Sequence, residues 1–170
     1  MKNRTVRCAV GAGILTAMAL NAHAADPATM PAVADGKALQ LKPADMDWWR
    51  DAKFGMFIHW GLYAIPAQGE WYMHDKNVPA DEYRKLADQF NPQHYDPAEW
   101  AKVAKAAGMK YMVMTARHHD GFALWDSPSS YQQFDAVHSA AKRDLVAPFV
   151  KAARDAGMRV GLYYSPMDWR

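Results

Sequence analysis

The chain contains the same local pattern twice: a helical stretch, a glycine turn and a run of β-favouring residues. The two glycine-centred runs are AGMKYMVM at 107–114 and AGMRVGLYY at 156–164. Glycine readily supplies the left-handed backbone that ends a helix, and the apolar run after it is typical of a parallel strand covered on both faces. Repeated helix-to-strand units of this kind predict an α/β fold with a parallel sheet.

Further elements fit between these units. An apolar run over residues 54–60 predicts an earlier strand, and a weaker helical pattern covers residues 80–90. The helix before the second strand has a defined start, because Asp96 can cap it, Pro97 fits its first turn and Glu99 can complete a capping box. The helix before the third strand places on one face Leu145, Val146, Phe149, Val150 and Ala153.

Two α/β architectures fit this order, an open doubly wound sheet and a (β/α)₈ barrel. Neither G-x-G-x-x-G nor G-x-x-x-x-G-K follows a strand, so the nucleotide signatures of open sheets are missing and we favour the barrel. A complete barrel needs about 250 residues, whereas this chain has 170. We therefore expect residues 44–170 to form an incomplete TIM-like barrel containing about the first three strands, the N-terminal part of a longer catalytic domain.

The first 24 residues have the layout of a secretory signal peptide. Basic residues come first, an apolar run covers residues 9–20, and Ala22 and Ala24 are small residues where signal peptidase requires them. The run is too short to cross a hydrocarbon layer of ~30 Å as a permanent anchor. We expect cleavage after Ala24, export to the periplasm or beyond, and a flexible lead-in over residues 25–43. A buried N-terminal helix is the alternative.

Charge and cysteine usage exclude several classes of function. Of 20 basic residues, 17 follow residue 24, against 18 acidic residues. This balance gives no electrostatic footprint for nucleic acid or an anionic membrane, so we expect neither a nucleic-acid partner nor a membrane anchor. The single cysteine, Cys8, lies in the leader. Residues 25–170 therefore have no thiol for a disulfide, a Cys-ligated metal or a nucleophile.

Polar and aromatic residues are concentrated where the three predicted strands end, and in the loop after the first. Barrel enzymes place their functional groups at the carboxyl ends of strands. Imidazoles both donate and accept hydrogen bonds, and aromatic rings stack on the apolar side of a pyranose, so this combination suits a neutral saccharide. The candidate binding residues are His59, Glu70, Trp71, His118, His119, Tyr163 and Tyr164.

Metal binding is one alternative for the histidines, and an ordinary structural role is another. The H-E-x-x-H and zinc-finger spacings are missing. Adjacent residues in a strand point to opposite sides, so His118 and His119 can reach one ligand only if the strand ends before them. For Trp60, Trp71, Tyr72 and Trp125, taken singly, packing in the core is at least as good an interpretation.

Four motifs together resemble one family. FGMFIHWG at 54–61, GEWY at 69–72, ARHHDGF at 116–122 and GLYYS at 161–165 resemble the α-L-fucosidases of glycoside hydrolase family 29, over about residues 46–170. The resemblance implies a retaining exo-glycosidase with a (β/α)₈-like domain, usually followed by a β-sandwich. It implies a fucosylated oligosaccharide or glycoconjugate as substrate, and no cofactor or metal. It also implies that the candidate residues hold the fucose ring and hydroxyls, Tyr164 being a less certain match than Tyr163.

The resemblance places both catalytic groups, an Asp nucleophile and a carboxyl acid/base, after Arg170. A retaining glycosidase needs two carboxyl groups about 5 Å apart, and Glu70 with Asp120 is the pair that this chain offers. We expect neither to be catalytic, since the resemblance gives Glu70 a hydroxyl-binding role, and we expect this chain alone to be inactive. Two other functions stay open: a non-catalytic sugar-binding protein on the same barrel, and a metal-dependent hydrolase that uses the histidines.

Overall fold

The computed structural model describes residues 42–170. The predicted signal peptide, and the predicted lead-in up to residue 41, lie outside the described residues. The helices are α1 (Asp47–Ala52), α2 (Tyr72–Asp75), α3 (Ala80–Arg84), α4 (Pro97–Ala106) and α5 (Val146–Asp155), and the strands are β1 (Met56–Ile58), β2 (Tyr111–Arg117) and β3 (Arg159–Tyr164). Short 3₁₀ helices cover Pro43–Met46, Leu62–Ala64, Lys85–Asp88 and Tyr131–Gln133.

The three strands form one parallel sheet in the order β1-β2-β3. Met112 of β2 pairs with Met56 of β1 on one side and with Val160 of β3 on the other. The predicted α/β fold with a parallel sheet is therefore confirmed. Because the strands run the same way, their carboxyl ends lie along one rim of the sheet. The first strand is shorter than the predicted run over residues 54–60, and the predicted helix over residues 80–90 divides into α3 and a 3₁₀ turn.

Capping residues define where α4 and α5 begin. The Asp96 carboxylate accepts hydrogen bonds from the backbone N–H groups of Ala98 and Glu99, both at 3.0 Å, as predicted. The predicted capping box is wrong, because the Glu99 carboxylate pairs with the Lys102 ammonium one turn later, at 3.1 Å. A cap that the sequence analysis missed starts α5, where the Asp144 carboxylate accepts from the N–H groups of the first turn.

Glycine ends both long helices in the same way. Gly108 and Gly157 have φ angles of 80° and 75°. In each turn the next residue donates its backbone N–H back into the helix, from Met109 to Ala104 at 3.0 Å and from Met158 to Ala153 at 2.9 Å. This hydrogen bond satisfies a carbonyl that the helix end would otherwise leave unpaired. The two glycine turns therefore set the direction in which the chain enters β2 and β3.

The core lies between one face of the sheet and the two long helices. Met112 and Met114 are fully buried in a cluster that includes Ala104 of α4 and Phe149 of α5. On the opposite face Phe57 is 53% exposed, so the second covering layer predicted for such strands is not among the described residues. Within residues 42–170 no layer covers that face. In the same part of the chain, no helix has the length and apolar character that crossing a membrane requires.

Replacing the α4 cap tests how much it contributes to folding. We expect Asp96→Ala to lower the free energy of unfolding by about 1 kcal/mol, because two N–H groups lose their acceptor. Asp96→Asn is the matched control, since the amide oxygen still accepts these bonds, and its loss should be much smaller. Urea unfolding of the intact protein measures both variants. Equal losses for the two variants would mean that the cap is not the source of the stability.

Candidate functional site

Three imidazole rings meet at the carboxyl rim of the sheet. His59 follows β1, and His118 and His119 follow β2, which ends at Arg117. The ring centroid of His118 lies 4.9 Å from that of His59 and 4.4 Å from that of His119. Since β2 ends before His118, the two adjacent histidines are not constrained to opposite sides, and the structure brings both into one cluster.

His59 is held by a chain of hydroxyl groups that links β1 to β2. The Nδ1 atom of His59 lies 2.9 Å from the Tyr63 hydroxyl, which lies 3.3 Å from the Thr115 hydroxyl. Thr115, on β2, accepts a hydrogen bond from the backbone N–H of Trp60 at 2.8 Å and donates one to the Trp60 carbonyl at 2.7 Å. The end of β1 is therefore fastened to β2 directly beside the imidazole.

His118 is the most enclosed of the three histidines. It is 5% exposed, and among the described residues its buried Nδ1 has no hydrogen-bond partner. Burial, together with the neighbouring imidazoles of His119 and His59, lowers the pKa of His118 to about 4, and the Glu70 carboxylate acts in the opposite direction. His118 is therefore a neutral imidazole at neutral pH.

His119 is fixed by the segment that follows β3. Its Nδ1 lies 2.6 Å from the Ser165 hydroxyl, and its carbonyl accepts the backbone N–H of Trp169 at 3.0 Å. Arg117 holds this segment in place, because its guanidinium donates to the Ser165 carbonyl at 2.5 Å and to the Asp168 carboxylate at 2.7 Å. The rim of β2 is thus tied to the rim of β3 by an arginine that is largely buried.

Aromatic rings surround the imidazoles. Trp71 lies 5.7 Å from His119 and 5.1 Å from Trp169, and Tyr163 lies 6.0 Å from His118, as ring-centroid distances. The structure therefore brings together His59, Trp71, His118, His119 and Tyr163 of the candidate residues. Glu70 is half-buried, and its charge acts on both His118 and Tyr63.

Tyr164 lies apart from this cluster. Successive strand residues point to opposite faces, and Tyr164 contacts Trp125 at 6.2 Å between ring centroids and the Arg117 guanidinium at 5.6 Å. A binding role for Tyr164 stays a prediction. Trp60 packs in the core against Tyr95, 5.6 Å away between ring centroids.

The Asp120 carboxylate is buried and bonded to other groups of the protein. It is 1% exposed, and it accepts hydrogen bonds from the Tyr83 hydroxyl at 2.8 Å and from the backbone N–H of Phe122 at 3.1 Å. Burial raises the pKa of Asp120 to about 6, against the effect of these two hydrogen bonds. This geometry supports the expectation that Asp120 is structural.

A group that could hold a metal lies elsewhere. Asp126, Asp135 and His138 bring one ligand atom each to within 4.8 Å of one another, and Asp135 already accepts a hydrogen bond at 2.9 Å from the His138 ring. Among residues 42–170, this is the group that meets that criterion, and it contains none of the three clustered histidines.

Several residues of the cluster were missed by the sequence analysis. Tyr63, Thr115, Ser165 and Trp169 all contact it, but none has a residue type that by itself indicates a site. Trp169 had a usable signal, since it follows the end of the third predicted strand, the position used to select His59 and His118. Tyr63 and Thr115 had none, because a hydroxyl group that orients a neighbour is found only once the strands are paired.

The buried His118 and Asp120 have opposite effects on stability between about pH 4 and 6. The lowered pKa of His118 makes stability fall as the pH drops from 6.5 towards 4, whereas the raised pKa of Asp120 makes stability fall as the pH rises from 3.8 towards 6. We expect Asp120→Asn to steepen the loss of stability on acidification. We expect His118→Gln to leave a stability that decreases as the pH rises.

Urea unfolding at a series of pH values measures both effects as differences from the unsubstituted protein. The double variant is the control: it lacks both titrating groups, so its stability should show neither of the two pH dependences. Parallel stability curves for all four proteins would contradict the assigned pKa shifts.

Comparison with known proteins identifies the family. The family model described as Alpha-L-fucosidase matches residues 19–170. Tissue alpha-L-fucosidase of Rattus norvegicus is 36% identical over 177 residues, which cover 95% of this chain and 38% of that relative. Alpha-L-fucosidase isoenzyme 1 from Paenibacillus thiaminolyticus has a solved structure that is 51% identical with a TM-score of 0.71, covering 74% of this chain and 29% of that one.

A second solved structure agrees. The crystal structure of an alpha-L-fucosidase GH29 from Bacteroides thetaiotaomicron is 44% identical with a TM-score of 0.69, and the match covers 76% of this chain and 31% of that one. The chain spans well under half the length of these relatives. The family match covers most of the chain, and the motifs at residues 54–61, 69–72, 116–122 and 161–165 lie within it. The chain therefore belongs to the α-L-fucosidase family, glycoside hydrolase family 29, and corresponds to the N-terminal region of its catalytic domain.

Proposed function

We propose that the protein is a retaining exo-α-L-fucosidase in which this chain supplies much of the pocket for L-fucose. The observation that carries the proposal is the cluster of three imidazoles, with ring centroids 4.4 and 4.9 Å apart, at the carboxyl rim of a parallel sheet. Relatives named alpha-L-fucosidase give the reaction class. The terminal fucosyl group of a fucosylated oligosaccharide or glycoconjugate is the proposed substrate.

The chemistry of the cluster fits a neutral deoxysugar. The imidazoles of His59, His118 and His119 can offer both hydrogen-bond donors and acceptors to hydroxyl groups. Trp71 and Tyr163 supply ring faces beside them, which suit the apolar C–H side of a pyranose. The burial that keeps His118 uncharged also leaves the pocket without a fixed positive charge for a phosphate.

The catalytic carboxyl groups of the proposed enzyme lie after Arg170. Retaining hydrolysis requires a nucleophile and an acid/base about 5 Å apart, and Asp120 is occupied by Tyr83 and by the Phe122 N–H. The open sheet face that carries Phe57 supports a complete (β/α)₈ barrel, in which later strands would cover it. The proposed contribution of this chain is to hold the sugar while hydrogen bonds strengthen in the oxocarbenium-like transition state.

Removing one imidazole tests the proposed pocket. In the full-length enzyme we expect His118→Ala or His119→Ala to lower kcat/KM for an aryl α-L-fucoside. The loss should correspond to about 1–3 kcal/mol of transition-state stabilisation, because a sugar hydroxyl loses its hydrogen-bond partner. His94→Ala is the matched control, since this exposed histidine lies in the loop before α4. Unchanged kinetics for both cluster variants would refute the assignment.

The same assay separates the alternative functions. A full-length protein that binds L-fucose but releases none from the aryl fucoside would be a sugar-binding protein. Activity that is lost on exhaustive chelation and restored by a metal would favour a metal-dependent hydrolase instead. Activity that survives chelation supports the carboxylate mechanism.

We also propose that the protein is exported and that its signal peptide is cleaved after Ala24. The basic start and the apolar run over residues 9–20 support this proposal. In a bacterial host we expect the mature protein in the periplasm or medium, with Ala25 as its first residue by N-terminal sequencing. Retention of Met1 on the folded protein would contradict it.

A further inference from the structure

We propose that hydrogen bonds from neighbouring hydroxyl groups fix opposite tautomers of His59 and His119, so that the pocket presents an acceptor at His59 Nε2 and a donor at His119 Nε2. We call these two sets of contacts relays: the first runs from Thr115 through Tyr63 to His59, and the second from Ser165 to His119. Tyr63, Thr115 and Ser165 are then positioning residues that act through the imidazoles. The assignment of tautomers depends on protein atoms alone. The identity of the ligand, L-fucose, rests on the proposed function.

The donors and acceptors of the first relay follow from the fact that each hydroxyl has one hydrogen and can donate only one hydrogen bond. Thr115 lies 2.7 Å from the Trp60 carbonyl, which has no hydrogen to give, so the Thr115 hydrogen is used there. The Tyr63 hydroxyl, 3.3 Å from Thr115 Oγ1, must therefore be the donor in that contact. Because the Tyr63 hydrogen is used in that bond, Tyr63 accepts in its contact of 2.9 Å with His59, and the hydrogen of this bond is on His59 Nδ1.

This arrangement leaves no hydroxyl of the relay unpaired. Thr115 accepts from Tyr63 and from the Trp60 N–H, which fills both lone pairs of its oxygen. Burial also raises the pKa of Tyr63, so its hydroxyl keeps its hydrogen. In a neutral imidazole with its hydrogen on Nδ1, the other nitrogen is an acceptor. His59 therefore presents a lone pair at Nε2.

The second relay has the opposite sense. The Ser165 oxygen accepts the backbone N–H of Met167 at 3.1 Å and lies 2.6 Å from His119 Nδ1. Ser165 is 2% exposed, and among residues 42–170 its hydroxyl has no acceptor other than that nitrogen. Because a buried hydroxyl hydrogen needs an acceptor, Ser165 donates to Nδ1 of the neutral imidazole. His119 then carries its own hydrogen on Nε2.

Two neighbouring imidazoles that differ in this way select the ligand by hydrogen-bond direction. The sugar hydroxyl at His59 has to donate, and the hydroxyl at His119 has to accept. Fluorine in place of a hydroxyl can accept weakly but cannot donate. A fluorine is therefore no better than a hydrogen at the first position, whereas it retains part of the interaction at the second.

Nuclear magnetic resonance of the full-length protein labelled with ¹⁵N-histidine reads the tautomers directly. At about pH 8, where an ordinary imidazole is neutral, we expect the hydrogen of His59 on Nδ1 and that of His119 on Nε2. Tyr63→Phe should release only the His59 preference, and Ser165→Ala only that of His119. Tyr83→Phe and Ser139→Ala are matched controls, since they remove buried hydroxyls that bond to Asp120 and to the Ala136 carbonyl.

Thr115 gives a sharper variant. In Thr115→Val the Tyr63 hydroxyl loses its acceptor and should donate to His59 Nδ1, which moves the imidazole hydrogen to Nε2. Thr115→Ser keeps the hydroxyl and should restore the original tautomer. If Thr115→Val does not fold, Tyr63→Phe still decides the question. A hydrogen on His59 Nε2 in the unsubstituted protein, or tautomers that no relay variant changes, would overturn the proposal.

Calorimetric binding of deoxy and fluoro L-fucoses connects the tautomers to recognition. Across positions C2, C3 and C4, we expect one hydroxyl whose fluoro and deoxy analogues both bind about tenfold more weakly, and one whose fluoro analogue binds clearly better than its deoxy analogue. Tyr63→Phe should reduce the loss of affinity at the first of these hydroxyls and leave the difference between fluoro and deoxy analogues at the second unchanged. Equal fluoro and deoxy affinities at every position would overturn the selectivity. If L-fucose itself does not bind while the tautomers are as assigned, the proposed function fails and the relays stand.

Discussion

The site depends on the way in which the Thr115 hydroxyl fastens the end of β1 to β2. It bonds both the N–H and the carbonyl of Trp60, so the backbone just after His59 cannot separate from the strand that leads to His118. The hydroxyl is buried, where each unpaired polar group would cost about 1–3 kcal/mol, so the fastening is strongly preferred. The distance of 4.9 Å between the two imidazoles follows from this bond and from the parallel register of the strands.

A second tie, by Arg117, completes the rim. Its guanidinium bonds the Ser165 and Met167 carbonyls and the Asp168 carboxylate. These bonds bring Ser165 to His119, and the Asp168 carboxylate pairs with the guanidinium groups of both Arg117 and Arg170. The positive charge near the pocket therefore serves the fold and is not offered to a ligand. This placement agrees with a neutral substrate.

The sequence predicted the elements with a strong local signal. The glycine turns, the Asp96 cap and the strands formed by the two long apolar runs follow from backbone chemistry, and they were confirmed. It did not predict α1 and α2, because helices of six and four residues have too little periodicity to detect. It grouped Tyr163 with Tyr164, although the alternation of a strand places only Tyr163 with the histidines. Contacts between distant segments, such as Thr115 with Trp60, have no local signal.

The lowered pKa of His118 has a consequence for the proposed reaction. A glycosidase transition state gains positive charge on the sugar ring, and a protonated imidazole beside that ring would oppose the gain. Burial and two neighbouring imidazoles keep His118 neutral down to about pH 4. Clustering the histidines is therefore more than a way of supplying hydrogen bonds: the imidazoles of His119 and His59 make His118 harder to protonate, which keeps a positive charge off the His118 ring over the pH range in which a catalytic carboxylate is ionised.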